Sequence, residues 1–294
     1  MATLRDMMRR INAIKSTAKI TQAMKMISAA KLRRAQDAIM NARPYVKKME
    51  EMLSNLVANV GDDYSHPLVL KHKEVKSIAV IIVTSDRGLC GSFNTNLVRS
   101  AMVNLKQNML NEYPNAKISL LPVGKRGCIT LSKEKFPIIA EFQGIYQPLK
   151  FQTAKDVISI VKNGYADGTY DLVLVYFNEF INIIKQLPSI KTLLPIQTHQ
   201  AEKKAVTTDY IFEPGQTEIM DELLPKLLDI QMFRTLLESN AAEQAARMMA
   251  MDNATTNARD LIHNLQLVYN KERQAAITKE MLEIVGGAEA LKKS

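Results

Sequence analysis

Cysteine is nearly absent: Cys90 and Cys128 are the two thiols in 294 residues. Two are too few for a disulfide framework, so a reducing, intracellular compartment is the default expectation. No apolar run approaches the roughly 18 residues that a membrane-spanning helix needs. The start is charged from Arg5 onward and lacks the apolar core of a signal peptide, which reads as a protein soluble as made. An Arg-rich amphipathic start could also be a mitochondrial leader, but the helical pattern runs unbroken to Ala42 and argues against a removable segment. Histidine is scarce and scattered: His66, His72, His199 and His263 form no metal spacing with either cysteine. Phosphate-loop patterns are missing, since neither G-x-G-x-x-G nor G-x-x-x-x-G-K-[ST] occurs and Gly124-Lys125 is followed by Arg126. The acidic pairs Asp62-Asp63 and Asp221-Glu222 fall at turn-like or cap positions, where carboxylates favour helix starts. The residues supply no catalytic set, cofactor site or metal site, and read as a mechanical or interaction protein.

Proline and glycine are absent from Lys226 to Val285. Over that stretch apolar side chains return every three or four residues at Leu227, Ile230, Leu237, Ala241, Met248, Met251, Ala258, Ile262, Leu265 and Tyr269, the period of a helix with one apolar stripe. At 1.5 Å per residue it would be on the order of 90 Å long, so it must lie on another long element. The other end of the chain offers one from Thr3 to Leu56, with Leu4, Met7, Ile11, Ile14, Ala18, Thr21, Met24, Ile27 and Ala30 at the same spacing and a kink expected at Pro44. Such a pair is expected to form an antiparallel coiled coil. Lys25, Arg234 and Glu272 fall where a strict heptad wants an apolar residue, so the supercoil should relax along its length.

Charge of one sign is concentrated. Residues 1–50 hold twelve Lys or Arg against Asp6, Asp37 and Glu50, an excess equal to the net charge of +9 on the whole chain. A basic helix can follow nucleic-acid phosphates, lie on an anionic membrane or face an acidic protein, and a solvated face is the plain alternative. Confinement of the whole net charge to one element favours an acidic partner. Salt-dependent retention on DNA would mark the nucleic-acid reading.

Between the helices the pattern changes. Ser77–Thr84, Ala116–Val123, Ile138–Phe142 and Tyr170–Phe177 read as strands, and Ile190–Ile196 as a further candidate. Helical patterns run from Ser92 to Leu110, from Lys125, and from Thr153 to Asn163. Such alternation implies an α/β domain, Rossmann-like, with a doubly wound, mainly parallel sheet. The expected segmentation is 1–60 for the N-terminal helix, 75–212 for the inserted domain and 217–294 for the C-terminal helix. Pro225 should mark a first helical turn.

The first strand runs into Thr84-Ser-Asp-Arg-Gly88-Leu-Cys-Gly91-Ser-Phe-Asn94, where a dinucleotide fold would carry its phosphate loop. The G-x-x-G spacing suits a tight strand-to-helix turn better, with Ser92 or Asn94 as cap. Cys90 reads as a small buried thiol. Stabilisation of the protein by a dinucleotide would revive the enzyme reading.

Four blocks carry a resemblance. Ile14-Lys-Ser-Thr-Ala-Lys-Ile-Thr-Gln-Ala-Met-Lys-Met-Ile-Ser-Ala-Ala-Lys-Leu-Arg33, Thr84 to Asn94, Ala242-Glu-Gln-Ala-Ala-Arg-Met-Met-Ala-Met-Asp-Asn-Ala-Thr255 and Tyr269-Asn-Lys-Glu-Arg-Gln-Ala-Ala-Ile-Thr-Lys-Glu-Met-Leu-Glu-Ile-Val-Gly-Gly-Ala288 closely resemble, in order, the gamma subunits of F-type ATP synthases. The resemblance implies a central stalk, one copy per complex, inside a ring of α and β subunits. Its α/β domain and the epsilon subunit would rest on the membrane c-subunit ring, whose proton-driven rotation the stalk would carry to the β sites. It further implies no cofactor, no nucleic acid and membrane association through the c ring only. A start at Met1 suits a bacterial protein on the cytoplasmic face of the inner membrane. An organellar protein would face the mitochondrial matrix or chloroplast stroma. The cysteine-bearing insert of plant chloroplast gamma subunits is absent.

Residue by residue, the resemblance places Met24 near the acidic lever of β, and Arg247, Gln274 and Thr278 against β near that lever and the catch loops, with Glu280 next to them. Gln274 and Thr278, four apart, share one helix face. Lys25, Lys31, Arg33 and Arg34 would meet carboxylates of β. Tyr210, Phe212 and Glu213 match the foot on the c ring, and Met281 to Val285 an apolar bearing at the top of the hexamer.

Overall fold

The computed structural model describes residues 3–59, 66–70, 72, 74–146, 148–196 and 215–292, with side chains for all of these but 47, 50, 53–59 and 289–292. The chain divides into two compact units, Met1–Ile27 with Met248–Ser294, and Ser28–Arg247.

The larger unit is built on a sheet of four strands. β1 (Ser77–Val83), β2 (Lys117–Val123) and β3 (Leu172–Phe180) are parallel, β4 (Gln186–Leu194) is antiparallel to β3, and the order is β2-β1-β3-β4. From Ile78 to Val83 β1 is apolar, because both of its faces are covered. Ile78, Val80 and Ile82 meet Leu97, Ala101 and Leu105 on one side. Ala79, Ile81 and Val83 meet Ala154, Val157 and Val161, together with Leu224, Leu227 and Leu228, on the other. The first set of helical residues belongs to α2 (Phe93–Val103) and the wider π-helical turn Asn104–Met109 that continues it into α3 (Leu110–Glu112). After the short α4 (Lys125–Leu131), the second set belongs to α5 (Phe151–Ala166) and the start of α6 (Gln216–Lys292). The expected doubly wound, mainly parallel domain with long N- and C-terminal helices is therefore what the chain forms.

Details differ where pairing overrides local pattern. The last strand begins at Gln186, four residues before the expected Ile190, because it leaves β3 through a hairpin whose register sets Phe180 beside Gln186. Ile138 and Phe142 make single bridges to Leu120 and Val123 and no continuous strand. The sequence reading puts Pro225 at a first helical turn. α6 instead starts at Gln216 and runs through it. The proline withholds one backbone donor, but Leu224, Leu227 and Leu228 on either side of it are buried and keep the helix in place. α1 (Leu4–Asn59) likewise stays helical through Pro44, with Val46 and Met49 buried beyond it.

The smaller unit pairs the first part of α1 with the last part of α6. α1 opens on a reciprocal cap: the Thr3 hydroxyl donates to the Asp6 carboxylate at 2.6 Å, and the Asp6 backbone N–H donates to the Thr3 hydroxyl at 3.2 Å. The helices run antiparallel, since Thr21 meets Thr255 while Lys25 meets Asp252. Among the described residues no helix is long and apolar enough to cross a membrane.

Candidate functional site

The loop after β1 turns sharply, with left-handed backbone at Leu89 (φ 64°) and Gly91 (φ 60°). Its polar groups are spent inside the protein. Thr84 Oγ1 donates to the Val123 carbonyl at 3.0 Å and accepts from Gly127 N–H at 2.7 Å. Gly124 is required there: at φ 95° a side chain would place its Cβ 2.2 Å from the Thr84 carbonyl oxygen. The Asp86 carboxylate accepts from the N–H groups of Lys125 and Gly144, each at 2.9 Å, and of Tyr146 at 3.3 Å. Ser92 stands at the N-cap of α2 without a side-chain cap bond. Asn94 does not cap the helix either. Its amide reaches back to Ser85, accepting from the Ser85 N–H at 2.9 Å and donating to its hydroxyl at 2.7 Å. Cys90 is buried with Phe93 and Ala242, and burial pushes its thiol up from the usual range. The arrangement fits a joint between elements, in which the loop's side chains tie β1 to the neighbouring segments.

From α6, Arg247 closes this joint. One guanidinium nitrogen donates to Glu243 at 2.6 Å, and the other to the carbonyls of Arg87 at 3.0 Å and Gly88 at 3.3 Å. Arg247 is only 8% exposed and Glu243 4%. Burial pushes the Glu243 carboxyl above the usual carboxylate range, against the pull of Arg247 beside it. The sequence reading missed Glu243. Its i, i+4 spacing from Arg247 was the available signal, but that spacing usually marks a solvated pair.

On α1 the positions Ile11, Ile14, Ala18, Thr21, Lys25, Ser28, Leu32 and Ala35 are each buried or half-buried. This alternates three and four without a break, the heptad seam. The expected stripe leaves it after Thr21: Ile27 is 57% exposed and Ala30 also faces solvent, while Lys25 and Ser28 take the seam positions. Lys25 and Thr21 have partners there. Lys25 Nζ lies 2.7 Å from Asp252 Oδ1, and the Thr21 and Thr255 hydroxyls meet at 2.7 Å. Met24 is half-buried beside them. Asp252 and Thr255 were not singled out from sequence, because neither belongs to an apolar pattern.

Lys31, Arg33 and Arg34 are exposed on α1. Gln274, Thr278 and Glu280 are exposed on α6, and the Thr278 hydroxyl bonds back to the Gln274 carbonyl at 3.0 Å. Beyond them Met281, Leu282, Ile284 and Val285 are 57–71% exposed, an apolar helix end left open in this chain. Tyr210, Phe212 and Glu213 lie outside the described residues.

Comparison with known proteins gives one consistent answer. The model of the family described as ATP synthase matches residues 3–291. The ATP synthase gamma chain of Chlorobium phaeobacteroides (strain DSM 266) is 47% identical over 292 residues, covering 99% of this chain and 100% of that one. That of Cytophaga hutchinsonii is 46% identical over 294 residues, covering 99% of each. Among solved structures, a chain of the Tetrahymena thermophila mitochondrial ATP synthase central stalk and c-ring is 28% identical at a TM-score of 0.57, over 80% of this chain and 99% of that chain. A chain of the Euglena gracilis mitochondrial ATP synthase, solved with OSCP, F1 and c-ring, shares the fold at a TM-score of 0.68 and 21% identity, over 98% of this chain and 94% of that one.

Proposed function

The chain belongs to the ATP synthase gamma chain family, and from that membership we propose that it is the central-stalk rotor subunit of an F-type ATP synthase. The observation that carries the proposal is 47% identity with a gamma chain along nearly the whole of both sequences. α1 and α6 stand inside the hexamer of α and β subunits, and the α/β unit joins the c-subunit ring together with epsilon. Rotation of the ring turns the chain, and each orientation offers the three β subunits a different set of contacts. Those contacts shift each β site among its conformations, and the coupling between sites is the difference in contact energy between states. The chain has no active site, cofactor or metal of its own; the chemistry of ATP belongs to α and β. It sits at the cytoplasmic face of the bacterial inner membrane and reaches the membrane only through the c ring.

Met24, Lys25, Gln274, Thr278 and Glu280 make the contacts to β. Exposure of Gln274, Thr278 and Glu280 on one stretch of α6 supports this. Lys31, Arg33 and Arg34, also exposed, face acidic groups of β. Arg247 belongs to the same set by resemblance, but a contact to β requires its guanidinium to leave Glu243. The exposed apolar end from Met281 to Val285 turns in the bearing at the top of the hexamer. Tyr210, Phe212 and Glu213 serve the contact to the c ring.

Affinity capture of the tagged chain from gently solubilised membranes tests the reading. Recovery with α, β, epsilon and c subunits and an ATPase activity is the expected result. Recovery alone, or with nucleic acid, would overturn it.

A further inference from the structure

The seam of the helix pair contains two polar layers where an ordinary coiled coil carries apolar ones. Thr21 is 9% exposed and Thr255 3%, so their shared hydroxyl contact at 2.7 Å is shielded from water. Each hydroxyl has one proton. Thr255 lies 2.7 Å from the Met251 carbonyl, whereas Thr21 lies 3.1 Å from that of Ala18. The shorter contacts are all satisfied when Thr255 donates to Met251 and Thr21 donates to Thr255, a directed chain across the seam. One turn along, Lys25 and Asp252, each about half-exposed, meet at 2.7 Å.

Apolar seams tolerate sliding, because one buried aliphatic side chain replaces another. Polar layers do not, since a displaced hydroxyl keeps its desolvation cost and loses its partner. Sliding α6 by one heptad in one direction would set Thr21 against Ile262 and Lys25 against Arg259. Sliding it the other way would set Thr21 against Met248, Thr255 against Ile14 and Lys25 against Ala245. Each slip buries at least one hydroxyl against hydrocarbon. Each also exchanges the ion pair for a like-charge or empty encounter.

We propose that the Thr21–Thr255 hydrogen bond, backed by the Lys25–Asp252 ion pair, is the register lock of the antiparallel helix pair. These four residues position Met24 on α1 relative to Gln274 and Thr278 on α6. The lock rests on the rotor reading, in which those residues must meet one partner surface together. It is a place where polar side chains give up packing energy for a unique alignment.

Disulfide trapping in the full chain within membrane vesicles tests the lock, with Cys90 and Cys128 replaced by alanine. Ile14→Cys with Ile262→Cys reports the native register, one heptad from the threonine layer. Met7→Cys with Ile262→Cys and Ile14→Cys with Tyr269→Cys report the two slipped ones. The native threonines should give the first cross-link alone. T21V/T255V should add a slipped cross-link and lower ATP-driven proton pumping per ATP hydrolysed at least twofold. K25D, which sets a carboxylate where a slip would bring Arg259, should add the 14–269 cross-link, and K25D/D252K should remove it again. Native cross-linking alone in T21V/T255V, or failure of the charge swap to restore the register, would overturn the lock. Should T21V/T255V not assemble, the charge-reversal pair decides the question by itself. Failure of the rotor reading would look different: native cross-links in a chain recovered without α and β.

Discussion

Arg247 and Glu243, one turn apart on α6, form a 2.6 Å ion pair that is almost wholly buried, and the same guanidinium holds two carbonyls of the loop after β1. That relationship ties the G-x-x-G stretch to α6. Its carbonyls face a fixed cation of the same chain, and its aspartate caps backbone donors from two neighbouring segments.

Removing Glu243 leaves a buried guanidinium with carbonyls and no counter-charge. E243L is expected to cost about 3–5 kcal/mol of stability, as for other broken buried pairs. E243Q keeps an acceptor for Arg247 and should cost less, about 1–3 kcal/mol. Urea unfolding of the purified chain at neutral pH measures both, and equal stability of E243L and the unsubstituted chain would contradict the burial argument.

Asp171 predicts an acid-side effect. Burial pushes its carboxyl up, but the N–H groups of Lys76 and Ser77 and the ring of His72 together outweigh that and hold it below its usual 3.8. A depressed carboxyl contributes stability that is fully present above the unfolded value and lost as pH falls through the folded one. D171N should therefore be less stable than the unsubstituted chain at neutral pH, with the difference closing below pH 3.8. Unfolding curves across that range check the sign; a gap that widens on acidification would refute it.

Cys90 and Cys128 should resist thiol reagents. Both are 2% exposed, and burial pushes Cys90 up and Cys128 to about 11. Thiolate is the reactive form, so a maleimide at neutral pH should leave both untouched in the folded chain and label both in denaturant. Rapid labelling of either thiol in the native protein would count against its placement in the core.

Gln274→Ala and Thr278→Ala should leave the stability of the chain within about 0.5 kcal/mol, because both positions are exposed. In the assembled complex each should lower ATPase activity and coupling while leaving c-ring attachment intact. Unchanged turnover in both would mean that another face of α6 meets β.

Much of this was legible in the chain itself. β1 announced a covered strand because every side chain in Ile78–Val83 is apolar, and α6 announced its length by lacking glycine and proline from Lys226 to Val285. The seam was harder to read. The apolar residues after Thr21, namely Met24, Ile27 and Ala30, step by three and drift off the face, whereas alternating steps of four and three place Lys25 and Ser28 inward. Periodicity cannot see that a lysine has an aspartate waiting 227 residues away. For the same reason the tie from Arg247 to the loop after β1 was not legible: its carbonyl partners lie about 160 residues back in the chain.

Rotation itself is the most direct test. A Lys133→Cys substitution gives an exposed thiol on the α/β unit, while the native cysteines are buried. With the catalytic hexamer fixed to a surface and a bead on that thiol, added ATP should turn the bead stepwise in one direction. ATP hydrolysis at a normal rate beneath a bead that never turns would contradict the account.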